Sequence, residues 1–148
     1  MARIAQARPD VIVSSNPMVF GEELLALPRR CCLNRHSALL PAYGGLWPVF
    51  HAFRRGETEV GVSASLMEPG IDKGTPLAQS VTPIEPGDTV WTLYRKTFAA
   101  SAETMHRALD KVRAGDDAPV KNSREASYFS FPTAEDWGEF RSQNGVFI

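Results

Sequence analysis

The stretch CCLNRHSALLPAYGGLWP, Cys31–Pro48, with SLMEPGIDKG, Ser65–Gly74, decides how this chain folds. Apolar Cys31, Cys32 and Leu33 run directly into Asn34, Arg35 and His36. As a strand, this segment puts Asn34 and His36 on one face and Arg35 on the other, because side chains alternate with a period of two. Asp72 lies in a Gly-flanked loop and needs only a tight turn to join them. Together the three suit attack on a carbonyl-type carbon. The Asn34 amide can donate to a developing oxyanion, His36 can move a proton near neutral pH, and Asp72 can take or orient one. No Ser or Cys nucleophile is needed if the attacking group belongs to the substrate. Singly, each has a plainer role: an Asn at a strand end caps or turns, an isolated His is structural, and an Asp between glycines is a turn residue. Spacing alone leaves both readings open.

Outward from this stretch, the chain alternates strand and helix signals. Residues 1–8 suit a short helix broken at Pro9, and Asp10–Ser14 is a compact β-branched strand followed by the turn formers Ser15-Asn16-Pro17. Gly21–Leu27 suits a short helix, so strand, helix and strand form a βαβ-like unit with a parallel pair. Leu39–Gly45 reads as loop and Trp47–Arg55 as a helix with Pro48 in its first turn and Gly56 past its end. Val60–Met67 and Leu77–Ile84 alternate as strands around the Glu68–Gly74 loop, a hairpin. From Asp88 a long helix begins, capped by Asp88 or Thr89 and ended by Gly115. Its apolar stripe of Trp91, Tyr94, Phe98, Met105, Leu109 and Val112 is expected to face the core. Residues 115–126 are polar and irregular, Tyr128–Phe131 is extended, and Thr133 with Asp136 nearly matches a capping box for a last helix. The expected fold class is α/β: a mixed, mostly parallel sheet with a β-hairpin and a long C-terminal helix.

At 148 residues the chain is one domain by length, and its net charge of −1 with no basic block argues against a nucleic-acid surface. No apolar run reaches membrane-spanning length, and the polar start MARIAQARPD is not a signal peptide. Adjacent Cys31 and Cys32 would be strained as a disulfide, which suits reduced thiols and a cytoplasmic location. No Cys/His spacing resembles a metal site. Cys32 shares the face of Asn34 and His36 but reads as a buried small hydrophobe. His51 and His106, inside helical patterns without an obvious partner, read as packing or surface residues.

Asn34-Arg-His36-Ser-Ala-Leu-Leu-Pro41-Ala-Tyr43-Gly-Gly45-Leu-Trp-Pro48 resembles the signature of the folate-dependent formyltransferases, the family of methionyl-tRNA, glycinamide ribonucleotide and sugar N-formyltransferases. That signature reads Asn-x-His-x-Ser-x-Leu-Pro, then an aromatic, a basic residue, Gly and a nearby Pro. Glu59-Val-Gly61-Val62 and Met67-Glu-Pro-Gly70-Ile-Asp72-Lys-Gly74 resemble the second signature, ending in Asp-x-Gly, and Leu24-Leu25-Ala-Leu-Pro28 matches the helix before the Asn strand. The two motifs occur in the family's order and separation, over about residues 9–98. The resemblance implies transfer of a formyl group from 10-formyltetrahydrofolate to an amine, with Asn34, His36 and Asp72 catalytic. It also implies a pterin held against backbone at Met18, Val19 and Phe20 and at Pro69, Gly70 and Ile71, where side chains are free to vary.

Departures from the pattern fall at Ala38, where the family has Ser, at Ser37 for Pro or Gly, at Gly44 for Arg or Lys, and at Ser65 for a frequent His. The family's catalytic domain opens with a Rossmann-like half carrying a Gly-rich turn, for which this chain shows no counterpart. Residues 1–114 are therefore expected to form the C-terminal half of that catalytic domain, and 115–148 an irregular tail with a short terminal helix. The edge of strand 10–14 is then open to pairing, either in a homodimer or with a complementing N-terminal half. The short, non-basic tail favours a small amine, such as a nucleotide-linked amino sugar, over tRNA, and Tyr128–Trp137 resembles the ends of some such proteins. The alternative reading is a non-catalytic fragment, or half of a split enzyme, that serves as a binding or dimerisation module.

Overall fold

The computed structural model describes residues 1–16 and 18–148, so Pro17 of the expected turn lies outside the described residues. Helix α1 (Ala2–Ala7) is ended by Arg8 in the left-handed conformation, just before Pro9. Strand β1 (Val11–Ser14), helix α2 (Glu22–Leu25) and strand β2 (Cys31–His36) follow, and β1 and β2 pair in parallel with Ser14 opposite Asn34. Within the expected 39–45 loop, Gly44–Gly45 forms a short strand, β3. Helix α3 (Pro48–Arg54) has its proline at the first position, where the missing N–H costs nothing. The hairpin is β4 (Glu59–Leu66) and β5 (Pro76–Pro83), with a bulge at Ala64/Ser65. Helix α4 (Val90–Ala114), strand β6 (Tyr128–Phe129) and helix α5 (Ala134–Ser142) complete the chain.

The main sheet runs β1-β2-β4-β5, and a second, two-stranded sheet joins β3 to β6. The main sheet is mixed, as expected: β1–β2 is parallel, whereas β2–β4 and β4–β5 are antiparallel; β3–β6, in the second sheet, is parallel. Antiparallel pairing is what a short hairpin loop allows, because a parallel pair needs a long crossover. Helix α4 covers one face of the sheet, where Met105 and Ala108 pack with Leu33, Ala64, Leu77 and Ala78. A second cluster joins Val49 and Phe50 of α3, Val60 of β4, Val90 and Leu93 of α4 and Phe140 of α5.

The buried stripe of α4 differs from the one expected. Trp91 and Phe98 are 55% and 58% exposed, and the buried positions are Val90, Leu93, Thr97, Thr104, Met105 and Ala108. Both threonines are buried because their hydroxyls are satisfied within the helix, Thr97 donating to Tyr94 O and Thr104 to Ala100 O. A reading that scores Thr as polar rotates the apolar stripe off its true face. Thr89 caps the helix in a box with Thr92, and Gly115 ends it in the left-handed conformation.

The tail beyond α4 is built into the second cluster. Thr133 and Asp136 cap α5 reciprocally, and the hydrogen bond from the Thr133 amide holds the Asp136 carboxyl below its ordinary range. Trp137 and Phe140 of α5 pack against Phe50, and Trp47 and Phe147 close the aromatic group. His51, read as partnerless, is in fact 1% exposed and fully satisfied. Its Nε2 donates to Ser130 O at 2.9 Å and its Nδ1 accepts from Arg54 Nε at 3.0 Å. Arg54 is in turn paired with Asp136 and Glu139. His106 lies on the exposed face of α4.

This arrangement suits only a neutral His51, because a proton on Nδ1 would face the Arg54 donor. Burial accordingly pushes its imidazole below the ordinary histidine value. Between the folded and unfolded values the unfolded chain binds more protons, so stability rises with pH. The melting temperature is expected to fall as the pH drops through about 6.5 and to fall less in His51→Gln, which can make the same two hydrogen bonds. Melting curves from pH 5 to 7.5 check this; parallel profiles for the two proteins would contradict it.

Candidate active site

Strand β2 delivers Asn34 and His36 as alternation requires, with Asn34 opposite Ser65 and His36 opposite Ser63 of β4. Buried Ser63 then shapes the turn after His36: it donates to Ala38 O at 2.6 Å and accepts from the Leu40 amide at 3.0 Å. That turn returns the chain to Tyr43, whose carbonyl oxygen accepts from His36 Nε2 at 2.9 Å. Tyr43 is itself fixed at its ring, donating from its hydroxyl to Glu57 Oε1 at 2.6 Å and stacking on Phe129.

Asp72 joins both side chains. Its Oδ1 lies 3.4 Å from Asn34 Nδ2, and its Oδ2 lies 3.5 Å from His36 Nδ1 and accepts from the Gly45 amide at 2.8 Å. The Asp72 and His36 side chains are only 9% and 11% exposed. With Nε2–H committed to Tyr43, His36 turns Nδ1 toward a carboxylate oxygen. At 3.5 Å the two groups face one another as neighbours, not as a short hydrogen bond.

Left-handed backbone surrounds the cluster. Tyr43, Trp47 and Asp72 all have positive φ without being glycine, at 60°, 51° and 50°. Such residues are held only where the surroundings enforce them. Two glycines supply the space. A Cβ at Gly74 would meet Leu66 O at 1.6 Å, and one at Gly45, where φ is 94°, would meet Phe129 O at 2.1 Å. Gly44, where the motif usually has Arg or Lys, is buried in β3 with Ser127 O 3.3 Å from the place of a Cβ.

An open cleft of about 380 Å³ lies against the three side chains. Asn34, His36 and Asp72 line it with Met18, Val19, Phe20, Gly70 and Ile71; Pro69 stands on the same loop outside the lining. Among the described residues the backbones of Val19, Phe20, Gly70 and Ile71 make no hydrogen bonds, which leaves donors and acceptors for a ligand. Sequence reasoning missed Arg35, Trp47, Phe98 and Tyr128 in the same lining. A second cavity, about 1110 Å³, shares Ile71, Asp72 and Tyr128 with the first, so the Asp72 loop is a wall between two spaces.

The formyl transferase family model matches residues 1–109. The chain belongs to the formyl transferase family. It is 34% identical over 143 residues to the methionyl-tRNA formyltransferase of Caldanaerobacter subterraneus subsp. tengcongensis, covering 93% of this chain and 46% of that protein. The chain thus spans about half the length of the curated relatives it matches. Among solved structures, the phosphoribosylglycinamide formyltransferase of Bacillus halodurans matches at 27% identity and a TM-score of 0.67, over 76% of this chain and 60% of that one. The N-formyltransferase of Helicobacter canadensis, in complex with folinic acid and dTDP-3-aminofucose, matches at 27% identity and a TM-score of 0.60, over 67% of this chain and 37% of that one. The α/β fold of the present chain is the one these formyltransferases share.

The glycine contacts make a direct test. Gly45→Ala forces β3 away from β6 and withdraws the amide that holds Asp72, so it is expected to cost roughly 1–3 kcal/mol. Gly21→Ala, with open space around its Cβ position, is expected to change stability by less than about 1 kcal/mol. Urea denaturation of both variants reads the difference; equal midpoints would contradict the geometry.

Proposed function

We propose that the chain transfers a formyl group from 10-formyltetrahydrofolate to an amine, with Asn34, His36 and Asp72 as catalytic residues. The observation that carries this reading is the convergence of the three at one cleft. In the reaction the amine nitrogen bonds to the formyl carbon, the bond from that carbon to the folate nitrogen breaks, and one proton passes from the amine to the folate nitrogen. The Asn34 amide suits stabilisation of the oxyanion that develops on the formyl oxygen. His36 and Asp72, side by side in the cleft, suit its relay from the amine. Two features support the donor: Phe20, Trp47 and Ile71 offer apolar surface to a flat heterocycle, and the backbone groups of Val19, Phe20, Gly70 and Ile71, which make no hydrogen bonds among the described residues, suit its polar edge. The folinic acid in the Helicobacter canadensis relative supports the same donor class.

For the acceptor we propose a small amine, such as a nucleotide-linked amino sugar. The net charge of −1 and the lack of a basic block support it over tRNA. The methionyl-tRNA formyltransferase names of the curated relatives favour tRNA instead. Steady-state release of tetrahydrofolate with a panel of amino sugars, and separately with methionyl-tRNA, decides between them. With the accepted amine, Asn34→Ala is expected to lower kcat roughly 10²–10³-fold, and His36→Ala and Asp72→Ala roughly 10²–10⁴-fold. Turnover unchanged by Asn34→Ala and by His36→Ala would show the assignment to be wrong.

A further inference from the structure

The side chain of Arg35 lines the cleft and has no role in the formyl-transfer reading. Its Nε donates to Ser101 Oγ at 2.8 Å, and that hydroxyl donates on to Thr97 O at 2.7 Å. Its guanidinium carbon lies 3.9 Å from the centroid of the Phe98 ring. Two contacts from α4 therefore fix the group in one orientation. Its Nη2 is nevertheless buried without a hydrogen-bond partner among the described residues. Native proteins rarely leave such a group unmet, because burial removes water and nothing replaces it.

The charge is as unusual as the missing hydrogen bond. Each of the other Arg and Lys residues that is at least partly buried has a carboxylate: Arg54 with Asp136 at 2.8 Å, Lys96 with Asp88 at 2.8 Å, Lys111 with Asp116 at 3.3 Å, and Arg124 with Glu57 at 3.5 Å. Arg35 has none among the described residues. Burial without such a partner pushes its guanidinium below the ordinary value. A cation so placed destabilises the free protein, and its place in the wall of the cleft shows what would compensate it. Arg35, Ser37, Pro48 and Phe98 line the part of the cleft not already assigned to the donor or to the three catalytic residues.

We propose that Arg35 binds an oxyanion, a phosphate or carboxylate carried by the acceptor, and so selects acidic amines. This rests on the formyl-transfer reading only for the word acceptor. The planar fork of arginine suits either anion in a bidentate pair, which the ammonium of a lysine cannot copy. The Phe98 and Ser101 contacts pre-set the fork, so little order is lost on binding.

The test uses the 148-residue chain, Arg35→Met and Arg35→Lys, each titrated at constant ionic strength with inorganic phosphate, acetate and 5-formyltetrahydrofolate. Arg35→Met removes the unpaired charge together with the guanidinium's contacts to Phe98 and Ser101, and its own melting curve establishes that it is folded before titration. Phosphate or acetate is expected to raise the melting temperature of the natural chain, with affinity falling at least tenfold in Arg35→Met and by less in Arg35→Lys. Which anion binds more tightly separates phosphate from carboxylate acceptors. Affinity for 5-formyltetrahydrofolate is expected to stay within twofold. Equal stabilisation of all three proteins by the anions, or of none, would overturn the proposal. A loss confined to 5-formyltetrahydrofolate would also overturn it, placing the glutamate tail of the donor on Arg35. Anion binding that depends on Arg35, in a chain that ignores 5-formyltetrahydrofolate, would overturn the formyl-transfer reading and leave the oxyanion site standing.

Discussion

The Asp72 carboxylate is the fastening on which the site depends. Three contacts from two strands converge on it: the Gly45 amide of β3, and the Asn34 amide group and His36 imidazole of β2. Only the first is short. A carboxylate held by a backbone N–H is fixed more firmly than one held by side chains, since the amide carries no rotamer freedom of its own. The contacts to Asn34 and His36, at 3.4 and 3.5 Å, are looser. In apo enzymes such contacts are often loose and tighten only when the ligand is bound.

What places Gly45 is the far end of the chain. The Gly44 amide donates to Ser127 O at 2.9 Å, Leu46 N donates to Phe129 O at 2.8 Å, and Tyr43 N donates to Ser127 Oγ at 2.9 Å. Strand β6 therefore positions β3, and β3 positions Asp72. Phe129 also stacks on His51, which ties β6 to the α3–α5 layer through Arg54 and its two carboxylates. The tail that looked irregular in sequence is thus structural support for the site. Phe140 is buried, which is worth roughly 1.5–3 kcal/mol for a large side chain fully removed from water, and Phe129, Trp137 and Phe147 add partly buried apolar surface against the same cluster.

Much of this was legible in the residues themselves. Alternation through Cys31–His36 placed Asn34 and His36 together, and the two-glycine loop around Asp72 closed as expected. The helix boundaries at Pro48, Thr89 and Gly115 also follow from local chemistry, since a proline start, a hydroxyl cap and a left-handed glycine act within one turn. The failures have a common cause. Strand β3 is two residues long and its partner β6, within the stretch read as extended, lies more than eighty residues away, so no local period announces β3 or the pairing. The true buried stripe of α4 runs through Thr97 and Thr104, whose hydroxyls are satisfied by the helix itself. His51 found its partners in Arg54, on its own helix, and in Ser130, a long way along the chain. Arg35 was assigned to the face opposite Asn34 and His36, and it is there that Ser101 and Phe98 of α4 receive it; nothing in the local pattern placed it in the lining of the cleft.

The central claim is that one carboxylate couples the Gly45 amide to the His36 ring. Nitrogen-15 NMR of the chain and of Asp72→Asn tests it most directly, because the substitution keeps the shape and removes the charge. The account predicts that His36 carries a proton on Nε2 in both proteins, held by Tyr43 O. It also predicts that the Gly45 amide and His36 Nδ1 resonances shift together in Asp72→Asn, while those of α4 stay in place. An Nε2 without its proton, or a Gly45 amide unmoved by the substitution, would contradict it.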